Sequence, residues 1–307
     1  MAYATSSIAD LASLLTFIRD TCTLNGWTLS GNVLHKGDTY VEVMLDGSVG
    51  VRILGGNGKD GSNLLTTPGP QYAYFGTIAG IPLTYPMTCD IHINTAPDEV
   101  FVVINYSTSY YSLMAWGKSD VPGLTGTGNW YHANRTPQQG SREYQCSPAG
   151  IDTQTNFGVN VDGCPLFHVY TGAPGGNSSG TNNSFIHGDV DSGGWHGNTG
   201  SSNMASSNRF LSPLIAYSPN LWSGEALLIP FPVYMPRSSG SKQTLVADLK
   251  HIRHIRIDNI VPGDIITLGP DDWKVYPWFR KDITERDGGA ENTHSGTLAY
   301  ALRYTGP

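Results

Sequence analysis

The residues best equipped for chemistry lie in His187-Gly-Asp189-Val-Asp191, with His196 close behind. Two imidazoles and two carboxylates would suffice as ligands for a divalent cation. The spacing is not that of a calcium loop, which would continue Asp-x-Asp-x-Asp-Gly. An ordinary polar loop is therefore the preferred reading. No cofactor or resident metal is expected, and an ion bound here would staple a loop rather than catalyse. The segment Gly176-Asn-Ser178-Ser-Gly180 matches G-x-S-x-G. A nucleophile elbow needs a strand before the serine and a helix after it, whereas Gly, Ser and Asn flank this one. Gly55-Gly-Asn-Gly58-Lys59-Asp60 fails as a phosphate loop. Asp60 stands where Ser or Thr must meet magnesium, and Ile53 where the first glycine belongs. A glycosidase needs two carboxylates facing across a cleft. Asp189, Asp191, Asp271, Asp272 and Glu285 are present, but nothing in the sequence selects a pair. The expectation is a protein that is not an enzyme.

Binding chemistry has better candidates. Lys250-His-Ile-Arg253-His-Ile-Arg256 is the densest basic cluster, with Lys242 nearby. It suits DNA phosphates or an acidic partner. In the isolated fold the favoured reading is a strand whose charges are solvated or paired with Asp248 and Asp258. Intersubunit pairing is a second use inside an assembly. Trp273, Trp278 and Phe279 form an aromatic-rich strand, and Trp130, Tyr131, Phe185 and Trp195 punctuate the centre. Such aromatics fill cores, stack on carbohydrate or anchor interfaces. Lys250, Arg253, Arg256, Trp130 and Trp195 are the residues expected at interfaces.

The composition supports binding over catalysis. Charged residues make up 14% of the 307, against about 25% in ordinary soluble proteins. A surface so poor in charge has little to keep other proteins away. The net charge of −7 offers no general field for nucleic acid, which wants a basic surface. Cys22, Cys89, Cys146 and Cys164 follow no metal or CxxC spacing and read as reduced thiols. The N-terminal stretch lacks a basic region ahead of an apolar one, so no signal peptide is expected. No apolar run approaches the roughly 18 residues of a membrane span.

These side chains must be positioned by a chain with 37 Gly and 19 Pro, which favours turns and short strands. One helix is predicted over 8–24. Ser7 and Asp10 supply a weak capping box, and Ile8, Leu11, Leu14, Leu15 and Ile18 form an apolar stripe. Asn25-Gly26 ends it. Strands are predicted at 40–45 and 48–54 about the Asp46-Gly47 turn, then as a meander at 89–94, 99–106 and 110–116. In that meander Ile91 and Ile93 should face the core and His92 solvent. Further strands are expected at 225–234, an edge or irregular strand because of Pro230 and Pro232, and at 244–248, 251–258, 264–268, 273–279 and 297–304. The predicted class is mainly β (α+β). A unit over 1–117 carries the helix on an antiparallel sheet. A loop-rich Gly/Ser/Asn insertion follows over 118–209, then a β-rich region over 210–307 that could share the first sheet or stand as a second domain.

Four passages carry a resemblance. Residues 264–281 (DIITLGPDDWKVYPWFRK) and 294–307 (HSGTLAYALRYTGP) resemble passages in a poorly characterised group of tailed-phage and prophage virion proteins. So do the opening Met1-Ala-Tyr with its Leu-rich helix leading to Asn25-Gly26-Trp27, and 222–230 (WSGEALLIP). The resemblance covers the two ends and leaves the centre unmatched. It implies a structural subunit of the tail, the collar or neck at the head–tail connection, or the baseplate, assembled in the bacterial cytoplasm. The partners implied are other virion proteins, with a cyclic homo-oligomer expected. It supplies no catalytic residues. The alternative is a receptor-binding or fibre-like module whose central loops touch host glycan.

Overall fold

The computed structural model describes residues 1–47, 50–78, 80–135, 143–144, 166–167, 183–188, 190, 194–197, 226–237, 242–284 and 298–307. The fold is mainly β, with one N-terminal helix and several antiparallel sheets. The central sheet has seven antiparallel strands. Their spatial order is β1 (Ala2–Ile8), β10 (Met87–Asn94), β11 (Glu99–Ser107), β12 (Tyr110–Lys118), β13 (Asn129–Ala133), β15 (Ser184–His187) and β16 (Trp195–Gly197).

Two other sheets cover it. On one face lie α1 (Leu11–Leu24) and the five-stranded sheet β2 (Thr28–Ser30), β3 (Val33–Lys36), β4 (Thr39–Asp46), β5 (Gly50–Gly56) and β8 (Ala73–Tyr74). On the other lies a half-barrel sheet ordered β17 (Ile229–Pro236), β18 (Gln243–Arg256), β21 (Leu298–Tyr304), β20 (Asp271–Pro277) and β19 (Ile265–Leu268). Two short pairs complete the framework: β6 (Gly58–Lys59) with β7 (Leu65–Thr66), and β9 (Thr77–Ile78) with β14 (Glu143–Tyr144).

Strand alternation explains the layering. In β11, Val100, Val102 and Ile104 join the core under the helix, while Phe101 and Val103 join the core under the half-barrel. In β12, Met114 and Trp116 go one way and Leu113 and Ala115 the other. A strand buried on both faces reads as a nearly continuous apolar run, and 100–104 is such a run. A third, smaller core of Ile255, Ile257, Ile260, Trp273, Val275, Ala299 and Ala301 includes the opposite face of the half-barrel.

Three expectations change. The helix starts at Leu11, not Ile8, because Asp10 is the cap and accepts from the Ser13 amide at 2.7 Å. Ile8 instead ends β1, paired with Met87 and buried. The expected unit boundary near Gly117 falls inside β12, and the sheet continues into β13, β15 and β16 from the centre of the chain. The strands expected at 244–248 and 251–258 are one strand, β18, with a bulge between them. Two other details match the prediction: Gly26 follows the helix with φ +86°, and among the described residues the proline-bearing β17 is an edge. No helix among the described residues is long and apolar enough to cross a membrane.

Candidate functional site

The predicted metal ligands do not come together as a set. Ile186 pairs with His196 and His187 with Trp195 across β15 and β16. Neighbours along a strand project from opposite faces, so His187 and His196 lie on opposite sides of the sheet and cannot share one ion. His187 Nδ1 accepts from the Thr127 amide at 3.0 Å, and its ring meets Trp195 edge-on at 5.3 Å. Asp189 and Asp191 lie outside the described residues, as does the Gly176–Gly180 motif. Gly58 and Lys59 form a short strand, and Lys59 donates to Asn63 rather than facing an anion cradle. Asp271 pairs with Arg303, and Asp272 accepts from Thr267. Glu285 is outside the described residues.

The basic cluster is occupied within the fold. Lys250 pairs with Asp248, and Arg256 with Asp258. Arg253 does something the sequence did not suggest. Strand β18 shifts register opposite Pro230, where Ile229 pairs with His254 but Phe231 with Leu249. Residues 250–253 therefore bulge. The Arg253 guanidinium folds back on this bulge, donating to the carbonyls of Lys250 at 2.9 Å and Ile252 at 2.8 Å. It also lies over the Trp273 ring at 4.6 Å. From the other side the Glu99 carboxylate accepts from the Lys250 amide at 3.1 Å, the His251 amide at 2.9 Å and His251 Nδ1 at 2.8 Å. The bulge is held by an acid on its N–H groups and an arginine on its carbonyls. Arg253 is thus committed to the fold and is not a free interface cation.

The aromatic candidates divide similarly. Trp130 is 1% exposed and packs near Phe101 and Phe167, so it is a core residue and offers no surface to a neighbour. Trp195 is half-buried, donating through Nε1 to the Thr67 carbonyl at 3.0 Å. Trp273 and Trp278 are buried.

The most organised polar centre sits between β10 and β20. His92, expected outward, is 1% exposed because the half-barrel covers the face on which it projects. Asp90, on the same face, accepts from Tyr3 Oη at 2.9 Å, Lys274 Nζ at 2.9 Å and Tyr276 Oη at 2.7 Å. Lys274 also donates to Tyr3 Oη at 2.7 Å. Burial pushes the Asp90 carboxyl up, but the bonds from Thr5, Tyr276 and Lys274 and the lysine's charge outweigh it and hold it below the usual range. Burial likewise opposes the Lys274 charge, and its bonds to Tyr3 and Asp90 overcome that and raise it. Burial pushes His92 down to about 4, so it is neutral at pH 7. Its Nδ1–H then donates to the Arg303 carbonyl at 3.0 Å, leaving Nε2 an acceptor 2.9 Å from Tyr276 Oη. The Tyr276 hydroxyl thus lies between two acceptors with one proton to give. A small cleft of about 140 Å³ opens beside this centre, lined by Asp90, Asn105, Tyr111, Pro262 and Lys274 among others. Its ionic groups are already partnered, so its chemistry is that of a lock between layers.

What the lock positions is the β19–β20 hairpin. Lys274 and Tyr276 tie β20 to the central sheet, and β19 hangs from β20 by the pairs Ile265–Lys274 to Leu268–Asp271. Among the described residues β19 pairs with no other strand, so its outer edge is open. Ile265 is 48% exposed, Leu268 54% and neighbouring Val261 46%. The opposite edge of this sheet, β17, carries Pro230 and Pro232, which blunt pairing. No protein-family profile matches this chain, and comparison with curated proteins finds no match.

Proposed function

We propose that the chain is a structural, non-enzymatic subunit of a tailed-phage particle, in the tail or neck, which joins its neighbours by adding a strand to the β19 edge. The observation that carries the reading is that edge: unpaired among the described residues, free of proline and lysine, and flanked by half-exposed Ile265, Leu268 and Val261. An edge with these features is a template for another chain. The passage 264–281, which resembles phage virion proteins, forms the hairpin that supplies it. In a ring, the edge of each copy would meet a different surface of the next, an arrangement that closes by rotation.

The test replaces both exposed side chains, Ile265→Lys with Leu268→Lys, in a phage producing this chain. Both sites are half-exposed, so the purified variant is expected to melt within a few degrees of the parent. It should fail to enter particles, and imaging of the parent should place the chain at the tail or neck. Entry of the folded variant at parental levels would overturn the edge reading. A chain imaged elsewhere in the particle would overturn the location. Cleavage of envelope polysaccharide or peptidoglycan by the purified chain would overturn the non-enzymatic reading.

A further inference from the structure

A second surface has a different character. The turn before β4, the residue after β5 and the loop joining β12 to β13 enclose a half-open groove of about 470 Å³. That volume lies within the roughly 300–1,000 Å³ of small-molecule sites. Such sites are usually lined by apolar groups with a few polar ones, and here the proportion is reversed. Asp38, Asn57, Lys118, Asp120 and Thr127 present polar side chains, and Tyr40 is the aromatic component.

The groups are arranged in advance. Asn129, buried beneath, donates to the Asp38 carbonyl at 2.8 Å and the Gly56 carbonyl at 3.0 Å, fixing both walls. Thr127 Oγ1 donates to Asn57 Oδ1 at 2.8 Å, which turns the Asn57 Nδ2 donors away from that bond. Lys118 pairs with Asp38 through Oδ2 at 2.9 Å. Asp38 Oδ1 and the Asp120 carboxylate take no hydrogen bond from any described residue. Tyr40, half-exposed at the groove's side, stacks on His35 at 5.4 Å with 16° between the planes, which fixes the orientation of its ring.

We propose that this groove binds an oligosaccharide that is neutral or carries amino groups. Open carboxylate oxygens and amide donors match the vicinal hydroxyls of a sugar, each of which both gives and takes a hydrogen bond. The fixed Tyr40 ring suits the apolar face of a pyranose. Two carboxylates against one lysine repel anionic glycans and phosphates. The inference goes beyond the assembly reading and uses none of its residues.

The test is an oligosaccharide array of neutral, amino and acidic glycans, probed with the full chain and followed by calorimetry on the best ligand. Retention should be confined to neutral or amino glycans. Asp120→Ala, at an exposed position, should weaken it by about tenfold or more, equivalent to about 1.4 kcal/mol, with the melting temperature unchanged. Tyr40→Ala should weaken it as much. Absence of retention on any glycan, preference for acidic ones, or equal affinity in a folded Asp120→Ala variant would each overturn the proposal.

Discussion

Replacing Glu99 with Gln should unfold the half-barrel's attachment more than any surface change of the same size. Glu99 is fully buried and accepts three hydrogen bonds, from the amides of Lys250 and His251 and from His251 Nδ1. Gln keeps the shape but has one oxygen, not two. In its better orientation the oxygen stays on His251 and takes both of its bonds. The new amide nitrogen then faces the Lys250 N–H, donor against donor. One charge-assisted bond is lost, worth about 1.5–3 kcal/mol, and a half-buried donor is left without its acceptor. The total is about 3 kcal/mol, a large share of a typical stability of about 5–15 kcal/mol. Glu99→Ala leaves all three donors without that acceptor and should cost about 5 kcal/mol. Urea denaturation followed by tryptophan fluorescence measures both, since Trp273 and Trp278 are buried in the half-barrel. A Glu99→Gln change below about 1 kcal/mol would refute the idea that this carboxylate holds the bulge in β18.

The remaining predictions concern charge and pH. Arg253→Ala should cost about 2–3 kcal/mol, because its guanidinium serves the bulge carbonyls and Trp273. Arg256→Ala removes a half-exposed pair with Asp258 and should cost less than about 1 kcal/mol; equal costs in chemical denaturation would contradict this assignment. Burial pushes His92 down to about 4 and His132 down to about 3, while the unfolded side chains titrate near 6.5. The unfolded chain therefore binds protons that the folded chain does not, so stability falls as the pH drops below about 6.5 and the loss levels off only beneath the folded values. Between pH 7 and pH 5 each histidine should remove about 2 kcal/mol. Denaturation of His132→Gln across this range should show a correspondingly shallower pH dependence, and a slope unchanged from the parent would count against the buried neutral histidine.

Much of the strand layout was legible because alternation and turn chemistry are local. Asn25-Gly26 and Pro230 with Pro232 each act through their own backbone, and each sits where that chemistry places it, whereas the expected two-residue Asp46-Gly47 turn is not formed, because β4 runs through Asp46, which pairs with Gly50. The other failures share a different cause. Alternation told which residues of β10 share a face but not what would cover it. His92 and Asp90 look solvent-facing beside Ile91 and Ile93, because polar residues on alternate positions usually are. Their partners, Tyr276, Lys274 and the Arg303 carbonyl, come from strands about two hundred residues later, and no local pattern announces them. The contacts of Arg253 within the fold were hidden for the same reason: the bulge it wraps lies where β17 and Glu99 meet β18.

The same long-range contacts bear on how an edge can serve assembly. A lone hairpin is marginally stable in water, and pairing with a neighbour would have to pay its ordering cost. Here that cost is met during folding. Lys274 and Tyr276 fasten β20 to Asp90 in the middle layer, and Trp273 and Val275 pack into the small core on the other side. Strand β19 is therefore anchored by the fold itself, and among the described residues its outer backbone is unpaired. Breaking the lock should then separate two effects that the edge substitutions cannot. Asp90→Asn removes the carboxylate that faces Lys274 and leaves Ile265 and Leu268 untouched. If β19 works as a prearranged template, this variant should lose incorporation into particles under conditions where its central sheet is still folded. Hydrogen exchange should show faster opening in β19 and β20 and unchanged protection in β11 and β12. Uniform loss of protection across the sheets would mean that Asp90 supports the whole fold, and that the hairpin has no separate readiness to assemble.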